Sequence, residues 1–549
     1  MLRNLLAGLT LAAITIPEQM ATAKLGGFAP QIGFYAFIGA TVGFALVSFA
    51  FRGASRLLTA GADSTITPIF AASLAGLAAS GGTVSMGAAV TLALLMAGLL
   101  VTAGLLKLGW VADLISTPIV TGFLAGIALH IVVSQLPDLL GVPAPPGTLA
   151  QQIGALVPAL GRANPWSVAL ALGVLAAVIV TERLNPRIPG ALIAVAFATA
   201  AVMAFGLEGK GVTALGALPE GGPRLVAPDL SYQSLRELVP LALIVALIVM
   251  MQTATVSRAF PGPQGIDVNR DYLGLGVANL GAALLGAFPV NASPPRTAVV
   301  KEAGGTSQAG ALVAAAVVLA LALKGGTLLA HVPQAALAGV LLFVASRIVR
   351  VQVIAAVTRQ APGEAVLIAL TMAAVDLLPI PTGVAIGIGM SLLHGVWITT
   401  RTQVVEFVHV PGGTIWWPPG HHTTGAPLPG VLVAGYSAPL LFANAETFRR
   451  GLMALVNRKQ DLKLVVLEAN GIAEVDYTAA EALCQAIAAC HAKGLGFAIA
   501  RLESARARHS LRQFGVLALL GEDCLFLSVA EAVRSLAPTD REDGPSHGL

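Results

Sequence analysis

From Leu2 to about residue 400 the chain runs through one apolar stretch after another, joined by short polar connections. A bilayer's hydrocarbon core, roughly 30 Å thick, is crossed by about twenty residues of helix, so this rhythm predicts a polytopic α-helical membrane protein. Two stretches break the rhythm. LLTAGADSTITP interrupts the first half around Asp63, and PVNASPPRTAVV interrupts the second around Arg296. A charge near the middle of a bilayer costs about 2.5–3.5 kcal/mol even on lenient scales, so Arg296 must face protein, water or a ligand. Pro294 and Pro295 suit the first positions of a helix. A half-helix starting there would aim its free N–H groups and positive dipole end into the membrane interior, beside a guanidinium. The pattern predicts an anion site.

A weak internal repeat supports a transporter. Gln19-Met20-Ala21-Thr22 near the first helix is echoed by Gln252-Thr253-Ala254-Thr255 beside Met251, in halves of about 1–206 and 236–402, and each half then reaches its break. Interrupted apolar segments in matching places of two halves point to a midplane binding site, and inverted halves would bring the two half-helix N-termini together. Gly/Pro breaks are also tolerated as simple kinks. A charge at each break favours the site.

Composition sharpens the division of the chain. The protein has 549 residues, 56% hydrophobic and 11% charged. Residues 1–402 hold 20 Lys/Arg and 14 Asp/Glu, whereas the much shorter 403–549 holds 12 and 14. The first part therefore reads as membrane domain and 403–537 as a soluble domain, with 538–549 a polar, disordered tail. The net charge of +4 comes from the membrane part and calls for no nucleic-acid partner. Arg3, an apolar stretch and Ala21-Thr22-Ala23 mimic a leader peptide, but the break at Pro17-Glu18 favours an uncleaved first helix. Counting from a cytoplasmic N-terminus, inward loops carry Arg52, Arg56, Lys107, Arg183, Arg187, Arg258, Arg270, Arg347, Arg350, Arg359 and Arg401, while outward connections near Pro30, Gly81, Val290 and Pro379 carry no Lys or Arg and the long outward loop 207–235 mixes signs. That asymmetry predicts a multi-pass protein of the inner (cytoplasmic) membrane with both the N-terminus and the tail domain in the cytoplasm.

The tail has an α/β rhythm. Leu464–Leu467 suits a buried strand, Asp476-Tyr477-Thr478 opens an amphipathic helix through Cys490, and Gly496–Ala500 suits a second strand. Asp476 reads as the helix cap. Cys484, Cys490 and Cys524 have no metal spacing and read as reduced thiols. Nor do a metal cluster, a glycine-rich phosphate loop or a Ser/His/Asp constellation occur, and His421-His422 lack a further ligand nearby. An enzyme and a cofactor are therefore not expected.

The runs IPEQMATAKLGGFAPQIGFY, RGASRLLTAGAD and GVANLGAALLGAFPVNASPPRTAVVKEAGG resemble the sulfate permease family, also called solute carrier family 26, and the tail is similar to its STAS domain. The resemblance implies about fourteen spans in two inverted seven-helix repeats, arranged as core and gate, usually in a homodimer that carries a small anion across the lipid bilayer. Its site would use the helix around Glu18, the break at Gly61–Thr65 with Asp63 and Ser64, the helix around Gln252, and the helix starting near Arg296 with Ser293 and Thr297. This chain departs from the family pattern. Ala62-Asp63 stands after Gly61 where Gly-Pro is common, and Pro295 takes the place of a Ser before the Arg. In the related soluble regulators a phosphorylated serine follows the aspartate at this turn of the STAS domain, and here Tyr477 occupies that position, so that switch does not carry over.

Arg296 reads as the fixed positive charge of the site, with a structural partnership to Asp63 or Glu18 as the alternative. Glu18 reads as the proton-coupling group, or else as a charged partner of Lys24 or Arg296. Asp63 fits a helix N-cap before Ser64-Thr65-Ile66 as well as a binding role. Gln252 could bond an anion or another helix. His130 reads as a neutral residue packed between helices, and Asp376 as lying at the membrane interface. The sequence predicts proton-coupled symport of a dicarboxylate such as fumarate, with sulfate, bicarbonate or anion exchange as alternatives. A membrane anion sensor signalling through its tail is the alternative of another class.

Overall fold

The structure, a computed structural model, describes residues 2–537 except 52, 78–84, 146, 186–187, 217–221, 262–264, 266 and 421–424. The expected disordered tail 538–549 and the pair His421-His422 lie outside the described residues. The chain divides into two compact units, Met1–Ser391 and Leu392–Leu549. The division falls inside the helix Ile380–Thr400, short of the expected boundary after residue 402.

In the first unit the apolar runs form helices, because a backbone in lipid must satisfy its own polar groups. The first half carries α1 (Leu2–Leu25), α2 (Pro30–Ala50), α3 (Thr67–Gly76), α4 (Met86–Leu105), α5 (Thr117–Leu140), α6 (Pro165–Leu184) and α7 (Gly190–Phe205). The second carries α8 (Tyr232–Ala259), α9 (Val268–Leu284), α10 (Pro294–Glu302), α11 (Ala309–Lys324), α12 (Gln334–Ile348), α13 (Pro362–Leu377) and α14 (Ile380–Thr400). Among the described residues eight helices are long and apolar enough to cross a membrane. α3 and α10, with 10 and 9 residues, are not.

The packing repeats between the halves. α1 lies on α11 as α8 lies on α4, and α5 lies on α13 as α12 lies on α6. α1–α4 and α8–α11 form one group of helices, α5–α7 with α12 and α13 a second, and α1 makes most of the contact between them. At the centre of the first group α2 crosses α9 with no room for side chains. A Cβ on Gly39 would sit 2.4 Å from the Gly281 carbonyl oxygen, and one on Gly281 would sit 2.3 Å from that of Gly39. Small residues permit this close approach, which stands in for the hydrophobic drive that lipid does not supply.

The second unit is built on a six-stranded sheet. Its strands, after two in the first unit, are β3 (Val405–His409), β4 (Trp416–Trp417), β5 (Val431–Gly435), β6 (Leu464–Glu468), β7 (Gly496–Ala500) and β8 (Leu525–Phe526), in the order β4-β3-β5-β6-β7-β8. β5 through β8 are parallel and β3 is antiparallel to its neighbours. Asp476 caps the helix Tyr477–Ala492 by accepting from the Ala479 N–H at 2.8 Å. Cys490, on the buried face of that helix, is fully buried, and burial pushes its thiol up to about 11. At pH 8 only about one Cys490 in a thousand is then thiolate. A thiol reagent should modify the half-exposed Cys484 and Cys524 well before Cys490, as read from labelled peptide masses.

Candidate functional site

The two breaks meet. β1 (Ala60–Gly61) pairs antiparallel with β2 (Asn291–Ala292), Ala60 opposite Ala292 and Gly61 opposite Asn291. Inverted segments that have left the helical path satisfy each other's backbone this way, which is how irregular chain survives at membrane depth. Further bonds lock the crossing. The Ser293 N–H donates to the Thr59 carbonyl at 3.0 Å, and the Thr59 N–H to Thr297 Oγ1 at 3.1 Å.

The glutamines of the internal repeat fasten this crossing. Gln19 on α1 accepts from the Ala62 N–H at 2.8 Å and donates to the Ala62 carbonyl at 2.9 Å. Gln252 on α8 donates to Thr65 Oγ1 at 3.0 Å and accepts from Asn291 Nδ2 at 2.6 Å, tying the first break to the second. Gln19 and Asn291 are site residues that the sequence reading misses. The match of Gln19-Met20-Ala21-Thr22 to Gln252-Thr253-Ala254-Thr255 is the signal that could have found Gln19, whereas nothing in the sequence marks Thr59.

A cavity of about 660 Å³ reaches this crossing, walled by Glu18, Asp63, Ser64, Thr65, Gln252 and Ser293 and bordered at its open end by the exposed Arg258, Arg347 and Arg350. Three expected site residues lie behind that wall. Arg296 is fully buried and presses its guanidinium against Gly61, where a Cβ would meet Nη1 at 2.9 Å and Gln19 Oε1 at 3.1 Å. Thr297 is also fully buried, its hydroxyl donating to the Ser293 carbonyl at 2.7 Å. Neither Gly61 nor Thr297 faces the cavity; both shape the wall. Gly61→Ala should weaken anion binding about tenfold, because overpacking there displaces the guanidinium. A binding isotherm on the purified, monodisperse variant checks this.

The α10 N-terminus offers less than the sequence suggests. Pro294 and Pro295 have no N–H, and that of Ser293 is taken by Thr59. The Arg296 N–H is the backbone donor left in that first turn. Asp63 does not cap α3, which starts at Thr67 after Ile66. It accepts from the Thr65 N–H at 2.8 Å and from the Thr65 hydroxyl, holding the turn before the helix. Lys24 is not the partner of Glu18, because it bonds Asp138. Glu18 Oε1 lies 3.8 Å from Arg296 Nη1, and the three guanidinium nitrogens have no hydrogen-bond partner among the described residues. His130 packs between α5 and α13, its Nε2 3.1 Å from the Val375 carbonyl and 3.8 Å from Asp376 Oδ1, so Asp376 faces a histidine. Among the described residues no group of three or more His, Cys, Asp or Glu could hold a metal.

Two broken segments crossing at a buried arginine, beside a cavity walled by two carboxylates and by the polar side chains of Ser64, Thr65, Gln252 and Ser293, form the candidate binding site of a polytopic membrane protein. Residues 1–371 match the sulfate permease family and residues 427–532 the STAS domain. The chain belongs to the sulfate permease family, whose members are membrane anion transporters and not enzymes. It is 32% identical over 535 residues to a probable sulfate transporter of Mycobacterium tuberculosis, covering 97% of this chain and 94% of that one. A putative sulfate transporter of Bacillus subtilis is 27% identical over 88% of this chain and 87% of its own. The fold is similar to that of the murine solute carrier 26 family member A9 anion transporter in the inward-facing state. That match has a TM-score of 0.87 at 22% identity, over 98% of this chain and 91% of the other. The transmembrane domain of a cyanobacterium bicarbonate transporter matches with a TM-score of 0.61 at 21% identity, over 71% and 97%.

Proposed function

We propose that this transporter imports a small divalent anion together with protons through the cytoplasmic membrane, its N-terminus and STAS domain inside the cell. The observation that carries the reading is the Glu18–Arg296 pair. Of its two members only Glu18 lines the cavity, and the guanidinium behind it is fully buried without a hydrogen bond among the described residues. An ionised Glu18 cancels the Arg296 charge and repels an arriving anion. A protonated Glu18 leaves that charge free to attract one. Each ligand therefore favours the other, as linkage requires. Import of an anion against an interior-negative potential costs about 2.3 kcal/mol per charge per 100 mV, and cotransported protons offset it.

Transport then proceeds by an elevator-like movement of the core helices, which carry the crossing, against the gate helices in a homodimer. Among divalent anions a dicarboxylate such as fumarate suits the wall best. The Thr65 hydroxyl is already engaged by Asp63 and Gln252, leaving Ser64 and Ser293 to bond the anion. Sulfate is the second reading, favoured by relatives whose names carry that substrate. Uptake of labelled fumarate, sulfate and bicarbonate into proteoliposomes, with and without an inward proton gradient, tests both. Gradient-driven accumulation of one anion is expected. Uptake indifferent to the gradient removes the proton mechanism, and anion binding without flux turns the protein into a sensor.

A further inference from the structure

Beyond the end of the cavity opposite Arg258 lies a cluster that the anion site does not use. Lys24 Nζ, at the C-terminal end of α1, lies 2.6 Å from Asp138 Oδ2 on α5 and donates to Gln334 Oε1 on α12 at 2.9 Å. All three residues lie away from the cavity. On α1 its wall ends at Glu18, six residues before Lys24, which is about 9 Å along a helix. On α5 the wall ends at Leu124, about 21 Å short of Asp138. On α12 it begins at Val340, about 9 Å beyond Gln334.

The cluster joins the two helix groups. α1 belongs to the group that carries the crossing of the breaks, while α5 and α12 belong to the other. The Lys24 and Asp138 side chains are 21% and 23% exposed, so opening that end would separate a half-buried ion pair and hydrate both charges. The repeat supplies a counterpart. α8, the mate of α1, also ends in a basic residue, Arg258, which pairs with Asp113 just before α5. That pair stands at the open end of the cavity and its side chains are 51% and 57% exposed. Each first helix of a repeat thus ends in a cation bonded to an acid near one end of α5, with the pair opposite the open end the more buried.

We infer that Lys24, Asp138 and Gln334 form a latch that holds the cavity shut on the side opposite its open end. The latch rests on the alternating-access reading given above. Lys24→Met and Asp138→Asn each release it, whereas the exchange Lys24→Asp with Asp138→Lys rebuilds it with the charges reversed. Hydrogen–deuterium exchange of the full-length protein in lipid nanodiscs, with no anion added, reads the result directly. Both single variants should exchange about fivefold faster than wild type at residues 24–30 and 138–145. The α2–α9 crossing and the STAS domain should be unchanged, and the exchanged pair should return to the wild-type rate. Unchanged exchange in either single variant, or a reversed pair as fast as the single ones, overturns the latch. A variant that exchanges faster everywhere is misfolded, and the other single variant and the reversed pair then decide between latch and no latch. Uptake assays on the wild type decide the transport reading separately, since the exchange experiment needs no flux.

Discussion

Arg296→Gln is expected to weaken anion binding about a hundredfold and to abolish uphill accumulation. The substitution keeps most of the side-chain stem and removes the charge. At an effective dielectric of about 20, a unit charge roughly 6 Å from the nearer charge of a bound anion contributes about 3 kcal/mol, which corresponds to that factor. The guanidinium is fully buried behind Gly61 and outside the cavity wall, so the loss is electrostatic rather than a missing hydrogen bond. Arg296→Lys therefore separates two roles. It keeps the charge, and should retain much of the affinity if charge is what matters, although an ammonium cannot reproduce the flat contact with Gly61. Binding isotherms on the two variants check this. Equal losses in both would mean that Arg296 acts by shape, as a prop for the crossing.

The fold was legible because lipid makes strong demands on sequence. Apolar runs of spanning length, breaks at Asp63 and Arg296, and prolines at the start of α10 announce themselves in one dimension. The STAS strands Leu464–Glu468 and Gly496–Ala500 and the Asp476 cap were equally readable, because strand burial and capping are local. What was not readable is which side of a wall a residue faces. Gly61, Arg296 and Thr297 belong to the crossing but lie behind it, since the antiparallel pairing of Ala60–Gly61 with Asn291–Ala292 decides their orientation. Partnerships between distant helices were hidden for the same reason. Lys24 finds Asp138 rather than Glu18, and Asp376 finds His130, through packing that no local pattern records. The α10 N-terminus shows a further limit. Pro294 and Pro295 mark a helix start clearly, yet the same two residues remove donors that make such a start attractive to an anion.

Glu18→Gln should abolish gradient-driven accumulation while leaving exchange of anion for anion intact. In the wild type, anion affinity is expected to fall as pH rises, because an ionised Glu18 neutralises Arg296 at 3.8 Å. In the variant the neutral amide cannot do so, and affinity should be flat with pH and tighter than wild type at alkaline pH. One pH unit across the membrane supplies about 1.4 kcal/mol per proton, enough for about tenfold accumulation. That ratio should drop to unity in the variant, although counterflow of labelled against unlabelled anion continues, because the site is preserved and only its coupling is lost. The combination distinguishes coupling from damage. A collapsed site would lose exchange as well, and a Glu18 that merely held Arg296 in place would lose affinity at every pH. Retained gradient-driven accumulation in Glu18→Gln would move the proton to another carboxyl. Asp63 is the next in line, since it lines the same cavity and accepts the Thr65 bonds at the first break.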